Sequence, residues 1–209
     1  CIRDSMKKLA LTDFAKYRYP SALELSPDGR YLTFALKEVD REGDGYRWNL
    51  WLYDLESRES RQITRGDDQR QAVWEDNTHI LYKTTELDEA MRARGFEEEW
   101  TVYHRLNVCT GEEREAFRLP MSVSGLWKMD EGRYVFTGET HLDRPNLLEL
   151  TGEALEKELV RRQQTKGYKD LTELPLCENG VGMFNQTRIT LFLYLEATGE
   201  YRRITPEDY

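Results

Sequence analysis

The sequence predicts an all-β fold of about three four-stranded antiparallel β-propeller blades, with a helical insertion in the third. Two observations carry this reading. A unit of four short strands recurs three times, and each copy places its polar turn at the same point. The turn residues Asp28, Asp76 and Glu131 lie 48 and 55 residues apart, close to the ~40–50 residues of one blade with room for a loop insertion. A β-sandwich also uses short strands and regular turns, but it has no reason to repeat one four-strand order three times. Disorder is excluded by twelve Tyr, seven Phe and five Trp among 209 residues, too many for a solvated coil.

Residues 1–19 form a leader and N-terminal segment, with Met6 expected as the natural start after the Cys1–Ser5 lead. The first blade covers 20–67. Its first strand is Ser21 to Ser26, and Pro27-Asp28-Gly29-Arg30 is the turn: Pro presets φ, Asp bonds the backbone, and Gly takes positive φ. Tyr31 to Leu36 alternates, with Leu32, Phe34 and Leu36 on one face and Tyr31, Thr33 and Ala35 on the other. Asn49 to Asp54 is the third strand and Ser60 to Thr64 the fourth.

The second blade, 68–121, reads Gln71–Trp74, a turn at Glu75–Thr78, His79–Lys83, Trp100–Leu106, a turn at Cys109–Glu112, and Arg114–Leu119. Its insertion at 86–99 mixes Leu87, Ala90, Met91 and Ala93 with charges, which suggests a short helix. The third blade, 122–209, reads Val123–Trp127, Asp130–Arg133 as the turn, Tyr134–Thr137, Thr190–Leu195, a turn at Ala197–Glu200, and Tyr201–Thr205. Its insertion at 146–187 holds a helix from Glu153 to Arg162, with Thr151 as N-cap, acids leading and bases closing. Leu155 and Leu159 share its buried face, and Glu156 and Arg162 are expected to be exposed. Phe34, Trp51, Trp74, Trp127 and Phe192 are expected in the layers between blades. Three blades leave two outer faces bare, and open edges invite pairing with another chain. Self-association through those edges is therefore expected.

Charge and cysteine usage narrow the function. A net charge of -9 argues against nucleic-acid binding, and no apolar run approaches the ~18 residues of a membrane span. Cys1, Cys109 and Cys177 are odd in number and far apart, so a reducing, cytoplasmic compartment is the simpler reading.

Chemistry-bearing residues are few. His79, His104 and His141 have no spacing that pairs them with a nucleophile, and structural or surface roles are expected. None of the seven serines (Ser5, Ser21, Ser26, Ser57, Ser60, Ser122, Ser124) lies in Gly-x-Ser-x-Gly. Gly180-Val181-Gly182 half-matches a dinucleotide loop, but a strand rather than a helix follows. Asn185-Gln186-Thr187 matches a glycosylation sequon, and with no signal peptide visible a chance match is expected. Glu86, Asp88, Glu89 and Glu97-Glu98-Glu99 make an acidic insertion whose default is a solvated face; the sharper reading is a cluster that attracts a peptide's amino group. Trp48 and Trp51, three apart, fall on opposite strand faces, so at most one faces the core. Catalytic, cofactor-binding and metal-ligating residues are expected to be none in this chain.

Several segments taken together resemble the N-terminal propeller of the prolyl oligopeptidase family of serine peptidases, in its bacterial acylaminoacyl-peptidase and dipeptidyl-peptidase-like branch. They are Leu11-Thr12-Asp13-Phe14, Tyr19-Pro20, Leu25 to Tyr31, Asn49 to Asp54 and Gln62-Ile63-Thr64. Further on come Glu173-Leu174-Pro175, Glu178-Asn179-Gly180, Gly182, Phe184-Asn185, Arg188 and Leu191 to Tyr194. The resemblance implies part of a larger, seven-bladed propeller that caps the active-site cavity and filters peptide substrates. The partner it implies is a C-terminal α/β-hydrolase domain lying beyond this chain, which holds the nucleophile, acid and histidine. The alternatives are a non-enzymatic propeller scaffold for protein–protein interaction and a stand-alone three-blade protein that self-associates.

Overall fold

The computed structural model describes residues 10, 12–40, 42–167, 176–178, 182–184 and 187–206. Three four-stranded antiparallel sheets make up most of it. The first joins β1 (Tyr19–Leu25), β2 (Tyr31–Asp40), β3 (Gly45–Asp54) and β4 (Glu59–Gln62) in sequence order. The second joins β5 (Ala72–Trp74), β6 (His79–Leu87), β7 (Glu99–Asn107) and β8 (Glu113–Leu119) in the same way. The third joins β9 (Val123–Asp130), β10 (Arg133–His141), β13 (Thr187–Leu195) and β14 (Glu200–Arg203). Between β10 and β13 lie helix α2 (Gly152–Gln164) and a separate hairpin, β11 (Leu176–Glu178) with β12 (Gly182–Phe184). Helix α1 (Glu89–Ala93) lies between β6 and β7. Among the described residues no helix is long and apolar enough to cross a membrane.

The turns form as their residues dictate. Ser26 Oγ donates to Asp28 Oδ1 at 2.7 Å and accepts from the Tyr31 N–H at 2.9 Å, while Gly29 sits at φ 73°. That φ is nearly free for glycine and costly for other residues. The second copy uses Asp76, which gathers the N–H groups of Thr78 and His79 at 2.7 and 2.8 Å.

The chain divides into two compact units, Cys1–Thr84 with Tyr103–Ala116, and Thr85–Val102 with Phe117–Tyr209. In the first, Ala35, Leu50, Leu52, Ala72, Trp74, Ile80, Tyr82, Leu106 and Val108 form the core. The Thr33–Ala35 face of β2 is the deeply buried one, and Phe34 on the opposite face is only half-buried. Thr33 is tolerated there because its hydroxyl donates to the Glu24 carbonyl at 3.2 Å, beside a bulge in β1 at which Ala22 takes φ 49°. Trp74 Nε1 bonds the same carbonyl at 3.2 Å. β1 is exposed along its whole length, with Leu23 at 60% and Leu25 at 54%.

In the second unit, Phe136 stacks on Phe192 with ring centres 5.0 Å apart, and Phe117 meets Tyr194 at 4.4 Å. Trp127, expected in a layer between blades, is 51% exposed in this chain. Its strand-mate Met129 is also exposed, and the buried β9 residues are Val123, Gly125 and Leu126.

The two helical insertions pack on each other within this unit. Met91 of α1, Leu147 and Leu159 form a small core of their own, flanked by Phe96, Leu148, Leu150 and Leu155. Leu159 is buried and Leu155 partly so, as the helical spacing predicts. The expectation of an exposed Arg162 is wrong. Its side chain is only 10% exposed, holding Glu98 at 2.7 Å and Glu158 at 3.0 Å and donating to the Pro145 carbonyl. Glu156 is exposed as expected, and pairs with Arg94 at 2.6 Å. Thr151 occupies the N-cap position, but its side chain makes no capping bond.

Candidate functional site

In the first sheet β2 and β3 pair over ten positions, from Tyr31 with Asp54 to Asp40 with Gly45. β1 accompanies them only as far as Lys37, and β4 only as far as Trp51. The remainder is a two-stranded arm with different chemistry on its two flanks.

Along one flank runs the short 3-10 helix Asp13–Lys16, closed by Tyr17. Between it and the arm is a cleft of 460 Å³ lined by Ala15, Lys16, Tyr17, Arg18, Glu38, Val39 and Arg47. Arg18 Nε meets Glu38 at 2.6 Å, and Lys16 Nζ meets Asp13 at 2.5 Å. The ammonium of Lys16 and the Ala10 N–H hold the Asp13 carboxyl below its usual range.

Along the other flank the chain returns beside β3. Trp48 and Asp68 form a parallel bridge, and Asn49 Nδ2 donates to Asp67 Oδ1 at 2.9 Å. Lys37 and Trp48 are cross-strand partners. Lys37 Nζ lies 3.7 Å from the Tyr46 ring centre and 5.2 Å from that of Trp48. The Arg70 guanidinium covers Trp48 at 4.2 Å and pairs with Asp68 at 2.8 Å. Such cation–ring contacts are favourable by ~0.5–1 kcal/mol at exposed sites. This flank is therefore a cationic, aromatic surface on which the Tyr46 and Trp48 rings each carry a cation.

The histidines have firm partners. His79 Nδ1 lies 2.9 Å from Asp76 Oδ2, and its Nε2 lies 3.2 Å from Asn107 Nδ2. Burial alone would raise the Asp76 carboxyl, but the Thr78 and His79 N–H groups, the Thr78 hydroxyl and the His79 ring together hold it at about 2. His104 stacks on Tyr82 at 5.3 Å, with Thr84 Oγ1 3.0 Å from Nε2 and Glu113 Oε1 3.6 Å from Nδ1. Burial first, then Glu113, pushes the Tyr82 hydroxyl up. His141 contacts Thr187 Oγ1 at 3.2 Å and Arg144 at 3.0 Å, and burial followed by the Arg144 charge lowers its pKa.

Among the described residues no serine bonds a histidine: Ser26 Oγ is held by Asp28, and Ser124 Oγ meets Thr137 Oγ1 at 2.8 Å. Cys109 is exposed, with Sγ 3.8 Å from the Tyr31 hydroxyl. The row Thr84–His104–Glu113 places a hydroxyl and a carboxylate on opposite ring nitrogens. It crosses three neighbouring strands, β6, β7 and β8. Sequence reading missed it, although strand alternation puts Tyr82 and Thr84 on one face.

The acidic insertion is largely taken up internally. Asp88 caps α1 by accepting from the Met91 N–H at 2.9 Å and also accepts from Trp100 Nε1 at 2.9 Å. Glu98 pairs with Arg162, Glu86 with Arg118 at 3.8 Å, and Glu89 with Arg92 at 3.5 Å. Glu97 and Glu99 are exposed. Trp51 lies opposite Phe34, their ring centres 6.5 Å apart, and like Trp48 it is half-buried. Of Gly180–Asn185, only the strand residues 182–184 fall within the described residues, and the sequon asparagine lies outside them.

Comparison with solved structures fits this strand order. An acylaminoacyl peptidase from Pyrococcus horikoshii superposes with a TM-score of 0.61 at 12% identity, over 91% of this chain and 26% of that one. The fold is a run of β-propeller blades. An acylaminoacyl peptidase bound to Z-Gly-Gly-Phe-chloromethyl ketone gives a TM-score of 0.58 at 11% identity, over 92% of this chain and 26% of that one. The AtxE2 isopeptidase gives 0.50 at 15% identity, over 91% of this chain and 30% of that one. The chain thus spans about a quarter of the length of the two acylaminoacyl peptidases. No family profile and no curated relative matches the sequence.

Proposed function

We propose that this chain is the non-catalytic propeller portion of a prolyl oligopeptidase-family serine peptidase, of the acylaminoacyl-peptidase type. In this reading blades 20–67, 68–121 and 122–209 belong to a larger ring that caps the active-site cavity and restricts entry to peptides. The C-terminal α/β-hydrolase domain supplies the nucleophile, and the whole protein works in the cytoplasm. The observation that carries the reading is the fold likeness over 91% of this chain to one quarter of an acylaminoacyl peptidase. The histidine geometry supports it, since each ring described above is engaged without a serine partner. The fully exposed β1 is in keeping with a sheet that further blades, or a second copy, would cover.

Two measurements test this together. The reading frame continuing past Tyr209 should encode Gly-x-Ser-x-Gly followed by Asp and His. A serine-directed fluorophosphonate should label the longer protein and leave this chain unlabelled. Stoichiometric labelling of this chain alone would overturn the non-catalytic assignment. A frame with no nucleophile elbow would overturn the peptidase assignment and leave a binding scaffold.

A further inference from the structure

We propose that the cleft beside the β2–β3 arm is a binding site for a carboxylate-bearing ligand. Its 460 Å³ falls within the ~300–1,000 Å³ of small-molecule sites. Three cations, Lys16, Arg18 and Arg47, line it against the single carboxylate of Glu38. In a chain of net charge -9 this is a local reversal of sign, which draws anions toward one place.

The geometry favours a carboxylate over a bare point anion. Glu38 meets Arg18 through its Nε at 2.6 Å, so the two terminal nitrogens of this cleft-lining guanidinium are not used by that pair. Arg47 sits directly across the strand pair from Glu38 and makes no hydrogen bond or ion pair with any described residue. Planar guanidinium forks match carboxylates two bonds at a time, which an ammonium cannot do. Lys16 shares its ammonium with Asp13 and adds charge without direction. Ala15, Tyr17 and Val39 give the wall carbon surface for a ligand's skeleton. The proposal does not depend on the peptidase reading, because it uses only the residues that line this cleft and their partners.

The carboxylate could belong to a free polycarboxylate or to a peptide's C-terminus. Citrate, N-acetyl-dialanine and N-acetyl-dialanine amide are therefore titrated into the full chain at constant ionic strength. Calorimetry is read alongside amide NMR shifts. Saturable binding of at least one acid probe is expected, with shifts centred on 15–18, 38–39 and 47. Arg47→Ala should weaken it about tenfold, as for loss of a charged hydrogen bond, and Arg47→Lys should recover only part. Binding of the peptide acid but not its amide assigns a chain terminus, and binding of citrate alone assigns a free polycarboxylate. Equal binding of acid and amide overturns the proposal, as does no saturable binding of either acid. Unchanged affinity in Arg47→Ala also overturns it. Arg47 is exposed, so the variant should keep the circular dichroism spectrum of the parent chain.

Discussion

Replacing Leu159 with alanine tests whether the two insertions form a true core. Leu159 is 4% exposed and meets Met91 and Leu147, which are 9% and 0% exposed. Buried Leu→Ala changes cost ~2–5 kcal/mol, the spread reflecting how far the site collapses. Here only three residues are fully buried, and the surrounding Phe96, Leu148, Leu150 and Leu155 are partly open, so collapse is easy. The lower end, about 2–3 kcal/mol, is expected. α2 is the longest helix among the described residues, so circular dichroism at 222 nm during urea unfolding reports on it. With a slope of ~1–2 kcal/mol per molar urea, the midpoint should fall by roughly 1–3 M. Val160, the next residue, is 53% exposed, and Val160→Ala should cost less than about 0.5 kcal/mol. Equal small shifts for both variants would refute the packed core and leave α2 merely tethered.

Three other outcomes are expected. The Arg161 hydrogen bond, and against the cost of burial that of Arg162, hold the Glu158 carboxyl below its ordinary value of 4.5. A group lowered on folding stabilises above its unfolded pKa and loses that contribution as pH falls through the folded one. The second unit should therefore weaken below about pH 4.5, and Glu158→Gln should flatten that part of a pH–midpoint curve. Asp76→Asn should cost about 1 kcal/mol at pH 7, scaled down for its exposure. The difference from the parent chain should disappear as pH approaches 2, where Asp76 itself protonates. Finally, Leu25→Lys on bare β1 should lower any self-association seen by sedimentation velocity at micromolar concentration. An unchanged association constant would place the contact elsewhere.

The tight turns and strand order were legible because their signals are local. Ser26, Asp28 and Gly29 serve the first turn from within six residues of chain. The outer reaches of β2 and β3 were not, since the apolar alternation stops at Leu36 and resumes at Asn49. Only pairing of Glu38 with Arg47 and of Lys37 with Trp48 makes them strand. Counting outward from Gly43 would have found those pairs. Arg162 read as solvent-facing on a helix wheel because its partner Glu98 is 64 positions away. On β9, Val123 and Leu126 take the buried positions and Trp127 is exposed, a division that the strand's own residues did not reveal. The cleft drew no notice because Lys16, Arg18 and Arg47 are individually ordinary surface cations.

The joint core of the two insertions bears on how such a chain changes over generations. One insertion brings Met91, Phe96, Arg94 and Glu98, and the other brings Leu147, Leu159, Glu156 and Arg162. A descendant that deleted only the shorter segment would uncover Leu147 and Leu159 and strand the largely enclosed Arg162 guanidinium. Losing only the longer one would bare Met91. Neither intermediate is comfortable, so the pair should be inherited or lost as one. Hybrids spliced between relatives should tolerate exchange of both segments together far better than exchange of either by itself.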